Sequence, residues 1–289
     1  MPYILCAGLI TVDFTFEMDA FPVEGEKHRA RASRMVAGGG ALLAASAIAR
    51  LGGRVDLAGC VGDDMLGAFV LQTLRARTVG AAHLKTMQGA DTARSAVIVG
   101  DTGERTIINH RADALFPDTY EAAFSHDAAL VDTRWPGAAV SILRAARAAG
   151  KPGVIDAESP VRLCQEALPL ASHVIFSEQG LTDYAGACDA AAVSDVAREL
   201  GVWVAVTRGG RPVLCHDGDT LTEVPPFAVR AVDTLGAGDV WHGAFTLALA
   251  RGKAPLVAAK YGNAAAAAKV TMRAGNMPDQ TNVARILRK

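Results

Sequence analysis

From about residue 128 onward, short runs rich in β-branched residues alternate with stretches of helical periodicity, and this alternation limits the folds open to the chain more than any other feature. Residues 128–132, 153–157, 172–177 and 202–207 read as strands, and residues 137–149 and 161–170 as helices. The strands are continuously apolar rather than alternating, so both of their faces need cover. Amphipathic helices between them supply it, which predicts an α/β fold built on a mostly parallel sheet. The N-terminal part fits the same sheet through strands at 3–8 and 55–61. A helix over 40–51 ends on Gly52-Gly53, and Asp63 or Asp64 caps another whose Met65, Leu66, Phe69, Val70 and Leu74 share one face.

Two stretches break the rhythm. Val12, Phe14, Phe16 and Met18 recur at period two, the pattern of a half-exposed strand. Residues 94–99 and 104–109 flank Gly100-Asp101-Thr102-Gly103 and read as a hairpin. Antiparallel pieces beside a parallel sheet predict a small β-lid drawn from about 11–36 and 94–111, attached to a single domain spanning 1–289. A lid sheet with open edges and an uncovered face also predicts a homodimer formed through it.

With 51% hydrophobic and 20% charged residues the chain can bury a large core, which argues against disorder. A net charge of −1 gives no basic surface for nucleic acid or membranes. Cys6, Cys60, Cys164, Cys188 and Cys215 are odd in number and widely spaced, so they read as small buried side chains in a reducing cytoplasm. The seven histidines show no pair at helical metal-site spacing. Residues 1–10 are apolar without a basic flank or cleavage site, and no apolar run is long enough to span a bilayer.

The segment Asp233-Thr234-Leu235-Gly236-Ala237-Gly238-Asp239 carries the chemistry. Its small residues let the backbone curl into a helix whose apolar stripe is Val240, Trp241, Ala244, Phe245 and Ala248. The amides of Gly236, Ala237 and Gly238 then converge at a helix N-terminus, a site for phosphate oxygens. Asp239 falls in the first turn beside them, where a carboxylate can take the proton of an attacking alcohol.

The complete D-T-x-G-A-G-D string resembles the C-terminal signature of the ribokinase-like (PfkB) carbohydrate kinases. Gly38-Gly39-Gly40 with Ala47-Ile48-Ala49-Arg50-Leu51-Gly52, and Val61-Gly62-Asp63-Asp64 with Gly67, are similar to that family's other blocks. The resemblance covers nearly the whole chain. It implies a ribokinase-like three-layer sandwich with a β-lid, an ATP-dependent sugar kinase activity, and Mg²⁺. It assigns Thr207, Gly209, Thr234, Gly236, Gly238 and Asn263 to the nucleotide, and Asp13, Gly39 and Gly40 to the sugar. Two positions depart from the family. Leu43 stands where an Asn contacts the sugar, and Ser177-Glu178-Gln179-Gly180 replaces N-x-x-E, leaving Glu178 as the candidate for organising magnesium.

Three further residues bear on the acceptor: Lys27 in the first lid segment, Asn109 at the end of the hairpin and Arg134 after the strand ending at Asp132. Two cations and an amide converging on the end of the acceptor remote from ATP would match an anionic group. Gly103 to Asn109, Asp132-Thr133-Arg134-Trp135, Phe176-Ser177-Glu178 and Asp239-Val240-Trp241-His242-Gly243-Ala244 together resemble a subgroup, the bacterial 6-deoxy-6-sulfofructose kinases. That subgroup binds a C6 sulfonate through an equivalent Lys, Asn and Arg and phosphorylates the C1 hydroxyl. The readings left beside it are a kinase for fructose, for a phosphorylated ketohexose or for 2-keto-3-deoxygluconate, and an inactive sugar-sensing binder on the same fold.

Overall fold

The computed structural model describes residues 1–101, 104–121, 123–272 and 275–288. In chain order it contains β1 (Tyr3–Ala7), β2 (Thr11–Glu17), β3 (Ala32–Gly38), α1 (Gly40–Arg50), β4 (Arg54–Gly62), α2 (Met65–Ala76), β5 (Leu84–Met87), β6 (Arg94–Val99) and β7 (Arg105–His110). The second part contains β8 (Ala128–Asp132), α3 (Pro136–Ala148), β9 (Gly153–Ala157), β10 (His173–Ser177), α4 (Glu178–Ala185), α5 (Ala190–Leu200), β11 (Trp203–Arg208), β12 (Arg211–His216) and β13 (Leu221–Val224). It closes with α6 (Ala237–Ala250), α7 (Pro255–Val270) and α8 (Gln280–Leu287).

Nine strands form the main sheet in the order β13-β12-β11-β10-β9-β8-β1-β4-β5. All neighbours from β11 through to β5 run parallel, and β12 and β13 join as an antiparallel edge. Successive residues of each central strand enter opposite cores. Ile4 and Cys6 pack with α1, α6 and α7, whereas Leu5 and Ala7 pack with α3 and α5. That two-sided demand explains why the strands read as unbroken apolar runs. Within the first core, Phe245 stacks between Trp203 at 5.3 Å and Trp241 at 5.0 Å between ring centroids. Phe245 is fully buried, so truncating it to Ala costs about 3–5 kcal/mol.

The second sheet has four strands in the order β3-β2-β6-β7. β2 pairs antiparallel with β3 but parallel with β6, so the two lid segments interlock rather than forming separate hairpins. β6 and β7 pair antiparallel as expected; Thr102 and Gly103 of their turn lie outside the described residues.

The helix caps follow local chemistry. Of the two candidate caps, Asp64 serves α2, with its carboxylate accepting from Gly67 N–H at 2.7 Å. Residues 161–170 depart from the expected α-helix. They form tight 3₁₀ turns with a break at Cys164, and Pro169, which supplies no N–H, lies in the last turn of the segment. Among the described residues no helix is long and apolar enough to cross a membrane.

Candidate active site

The parallel strands deliver their C-terminal ends to one edge of the sheet, where a doubly wound fold binds its ligands. Asp132 ends β8, Asp156 lies near the end of β9, and α6 brings Asp239 in its first turn. Gly38-Gly39-Gly40 makes the assembly sterically possible. A Cβ on Gly38 would overlap the Asp13 carboxylate, and one on Gly39 would overlap the Leu9 carbonyl. On Gly40 it would stand 3.2 Å from Asp239 Oδ1 and 3.8 Å from Asp132 Oδ2. The glycines thus let β3 and the start of α1 close against the carboxylates.

The turn before α6 is held from within. Asp233 accepts from Leu235 N–H at 2.9 Å, and Gly236 takes a left-handed conformation, φ 76°. One expectation needs revision here. Ala237 N–H closes the turn on the Thr234 carbonyl at 3.2 Å, so it is already engaged. Helix geometry leaves the N–H groups of Gly238 and Asp239 without an intrahelical acceptor, an arrangement suited to accepting an anion.

Asp239 is surrounded by acid. Burial, then Asp156, Glu158, Asp132 and Asp13, raise its pKa well above the ordinary carboxylate value. A base with raised proton affinity is better matched to taking a proton from an alcohol near neutral pH. Burial likewise pushes Asp132 up to about 6, although the N–H groups of Leu9 and Arg134, each at 2.8 Å, favour its ionised form.

His242, one turn beyond Gly238, bonds through Nδ1 to the Gly238 carbonyl at 2.7 Å and points Nε2 at Asp156 Oδ1, 3.4 Å away. Burial lowers His242 to about 4 and raises Asp156. The two directions agree on a neutral imidazole facing a proton-bearing carboxyl rather than an ion pair. His242 thereby fastens the first turn of α6 to β9.

Lys269 on α7 is buried, and among the described residues its Nζ has no hydrogen-bond partner. Its side chain runs beneath Gly236, with Cε 4.0 Å from where a Cβ there would be. Burial lowers its pKa while Asp233 and Asp239 oppose that shift. An unpaired ammonium in the interior is costly, and this one lies beside the turn at Gly236 and near Asp233 and Asp239. Sequence reading passed over Lys269, Asp156 and His242. Only the i+3 spacing of His242 from Asp239 could have pointed to the last.

Beside the turn lies a cavity of about 540 Å³, within the range of small-molecule sites. Thr207, Gly209, Thr234, Gly238 and Asn263 line it, and Gly236 does not. Val213, Phe227 and Val270 give it apolar walls. Asn263 acts through the scaffold. Its Oδ1 accepts from Trp241 Nε1–H at 2.8 Å, and its Nδ2 donates to the carbonyls of Val224 and Pro225 at 3.2 and 2.9 Å. Arg105 of the lid also lines this cavity, a contact not foreseen from sequence.

On the lid, register places Asp13 opposite Ser95, and Ser95 opposite Asn109. Equivalent register positions put the three side chains on one face; Asp13 packs against Gly38, two residues before the Gly40 that abuts Asp239, whereas Asn109 is exposed. Burial raises the pKa of Asp13, with Ser95 and Thr11 opposing. Arg134 is present at the same edge but is paired, donating to Glu158 Oε2 at 2.9 Å. Lys27 lies exposed in the connection between β2 and β3, and among the described residues no hydrogen bond or ion pair joins it to Asp13, Asn109 or Arg134. Glu178, the residue expected to organise magnesium, is partly exposed and pairs with Arg211. The donor set that fits a hard divalent ion is the carboxylate group around Asp239. Asp156 and Glu158 raise its proton affinity, and oxygen-bound positive charge would offset that.

The family model for pfkB family carbohydrate kinases matches residues 1–282. The chain is 25% identical to ribokinase from Bacillus subtilis over 295 residues, covering 99% of this chain and 100% of that one. It superposes on a provisionally named ribokinase from Agrobacterium tumefaciens with a TM-score of 0.93 and 32% identity, covering 99% of this chain and 97% of the other. The Arabidopsis thaliana ribokinase complexed with ribose and ATP shares the fold, with a TM-score of 0.88 at 23% identity over 100% of this chain and 99% of that one. With its ligand edge, phosphate turn and nucleotide-sized cavity in place, the chain belongs to the pfkB family of carbohydrate kinases, enzymes that transfer a phosphoryl group from ATP with Mg²⁺ as general cofactor.

Proposed function

We propose that this kinase phosphorylates a primary hydroxyl, C1, of a ketose carrying an anionic group at C6, with 6-deoxy-6-sulfofructose as the best candidate. The observation that supports the reading is the shared register row of Asp13, Ser95 and Asn109 on the lid, taken with Arg134 after the end of β8. Asp13 accepts from sugar hydroxyls. Asn109 donates at the far end, and Arg134 can exchange Glu158 for a stronger, doubly hydrogen-bonded partner in a sulfonate. Lys27 would approach from the exposed lid connection.

In the proposed reaction Asp239 takes the proton of the C1 hydroxyl as its oxygen attacks the γ-phosphorus, and the bond to the bridging oxygen of ADP breaks. The Gly238 and Asp239 amides hold the phosphoryl oxygens, and Lys269 offsets charge from below. Magnesium, when bound, neutralises charge on the β- and γ-phosphate oxygens, with Asp156 and Glu158 as the acidic groups available to hold it.

A second reading is favoured by the Arg134–Glu158 pair. With its cation already neutralised the site would take a neutral sugar, fructose or a pentose, in keeping with the similarity to ribokinases. Turnover with ribose, fructose, fructose 6-phosphate and sulfofructose, offered separately at equal concentration, decides between the two. Highest kcat/KM for sulfofructose supports the anionic reading, and highest kcat/KM for ribose or fructose rejects it.

The lid supports a homodimer. Its outer face carries Phe16, Ile98, Met35 and Ile108, the last 63% exposed. A single species of twice the chain mass in solution is the expected result. The five free cysteines, four of them buried, are in keeping with a reducing cytoplasm.

A further inference from the structure

At the opposite end of the main sheet, where the parallel strands begin, three side chains with metal-binding chemistry converge. Asp56 lies near the start of β4, His83 in the turn leading into β5, and His126 just before β8. One ligand atom from each falls within 4.8 Å of the other two. Asp56 Oδ2 is 3.6 Å from His126 Nε2 and 3.8 Å from His83 Nε2. Bonds of about 2.0–2.1 Å in a tetrahedral site set neighbouring ligand atoms roughly 3.3–3.4 Å apart, so only small side-chain movements separate these positions from a closed site.

A second observation points independently to a ligand. His126 is 3% exposed, and among the described residues neither ring nitrogen has a partner within hydrogen-bond distance, Asp56 Oδ2 standing 3.6 Å from Nε2. A buried imidazole with both nitrogens unsatisfied costs free energy unless something occupies the space it faces. The surroundings resemble the outer shell of a metal site. His83 Nδ1 faces the Tyr120 hydroxyl at 3.2 Å, which fixes the ring with Nε2 inward. The Tyr3 hydroxyl hydrogen-bonds Asp56 Oδ2, and the Tyr3 ring packs 4.2 Å from that of His126. Gly80 makes room for the carboxylate, since a Cβ there would overlap Asp56 Oδ1.

We propose that Asp56, His83 and His126 form a binding site for a divalent transition metal of the zinc class, with water in the fourth position and the Tyr3 hydroxyl holding the Asp56 carboxylate. Two imidazoles and one carboxylate select zinc, cobalt or nickel over magnesium, which prefers oxygen ligands. The site lies at the strand starts, away from the edge that carries Asp239. Its effect is therefore on stability: it clamps the β1, β4 and β8 ends to the loop before β5, and leaves phosphoryl transfer unchanged.

The test uses the full-length protein, stripped of metal and titrated with Zn²⁺ and, separately, Co²⁺, in excess Mg²⁺. The expected result is one equivalent bound with micromolar or tighter affinity, a Co²⁺ visible spectrum of tetrahedral intensity, and a Zn²⁺-dependent rise in Tm. His126→Ala and His83→Gln should each weaken binding at least tenfold and abolish the Tm rise, with kcat unchanged. His83 lies at the edge of the cluster with a quarter of its side chain exposed, so its variant decides the matter if His126→Ala does not fold. Absence of saturable micromolar binding by the wild type, or binding undiminished in His83→Gln, overturns the proposal.

Discussion

Arg134 donates to Glu158 at 2.9 Å, so the guanidinium proposed to read an anionic acceptor already holds a carboxylate. Glu158 is more than half exposed and can swing away, whereas Arg134 is largely enclosed. An anionic acceptor would therefore displace Glu158 rather than meet a bare guanidinium. In Glu158→Gln the competing charge is gone, and KM for an anionic ketose should fall several-fold while KM for fructose changes little. In Arg134→Ala, KM for the anionic ketose should rise tenfold or more. Equal effects on both acceptors in steady-state assays would separate Arg134 from charge recognition.

Lys269 trades stability for electrostatics. Lys269→Met keeps the volume and removes an unpaired buried charge, so Tm should stay level or rise. Without positive charge beneath Gly236, kcat should drop by about 10- to 1,000-fold. Partial recovery with added methylammonium would show that the lost group was the ammonium. A variant with wild-type kcat would remove Lys269 from the mechanism.

Asn263 lines the cavity beside the turn and holds Trp241 and the 224–225 carbonyls, so in the proposed function it acts on the nucleotide through them. Asn263→Ala strands a buried indole N–H and should cost about 1–3 kcal/mol. The cavity wall then loosens, raising KM for ATP several-fold, while kcat at saturating ATP stays within a factor of three. Melting curves and ATP titrations check both halves.

His173 packs against Trp203 and Phe245, and burial lowers its pKa to about 4. The unfolded chain therefore binds the extra proton first, and stability contributed by neutral His173 is lost as pH falls from about 6.5 towards 4. Between pH 7 and pH 5 the loss amounts to at most about 2 kcal/mol. His173→Gln should show a flatter Tm profile over that interval than the wild type, and parallel profiles would contradict the assignment.

The sheet was legible because its strands are buried on both faces and leave an unmistakable apolar signature, as in Ile4 to Ala7 and Ala128 to Val131. The phosphate turn was legible because Gly236, Gly238 and Asp239 do their work within seven residues of chain. What sequence could not show was pairing across distance. Arg134 with Glu158, Glu178 with Arg211, and Asp156 with His242 meet only after strands align, and each pairing changes what the residue is free to do. Lys269 escaped notice for a related reason: an isolated lysine on an alanine-rich helix looks solvated until α7 packs against α6. The tight turns at 161–170 were hidden by a helical apolar period.

The central claim is that Asp239 is the base for phosphoryl transfer. Asp239→Asn keeps the shape and the N–H donors but cannot take the proton. Turnover at saturating ATP should be measured with whichever of ribose, fructose or sulfofructose the wild type phosphorylates fastest, alongside ATP affinity by direct titration. The account predicts that kcat falls by about 100- to 10,000-fold while ATP affinity stays within a few-fold. Turnover within tenfold of the wild type would contradict it.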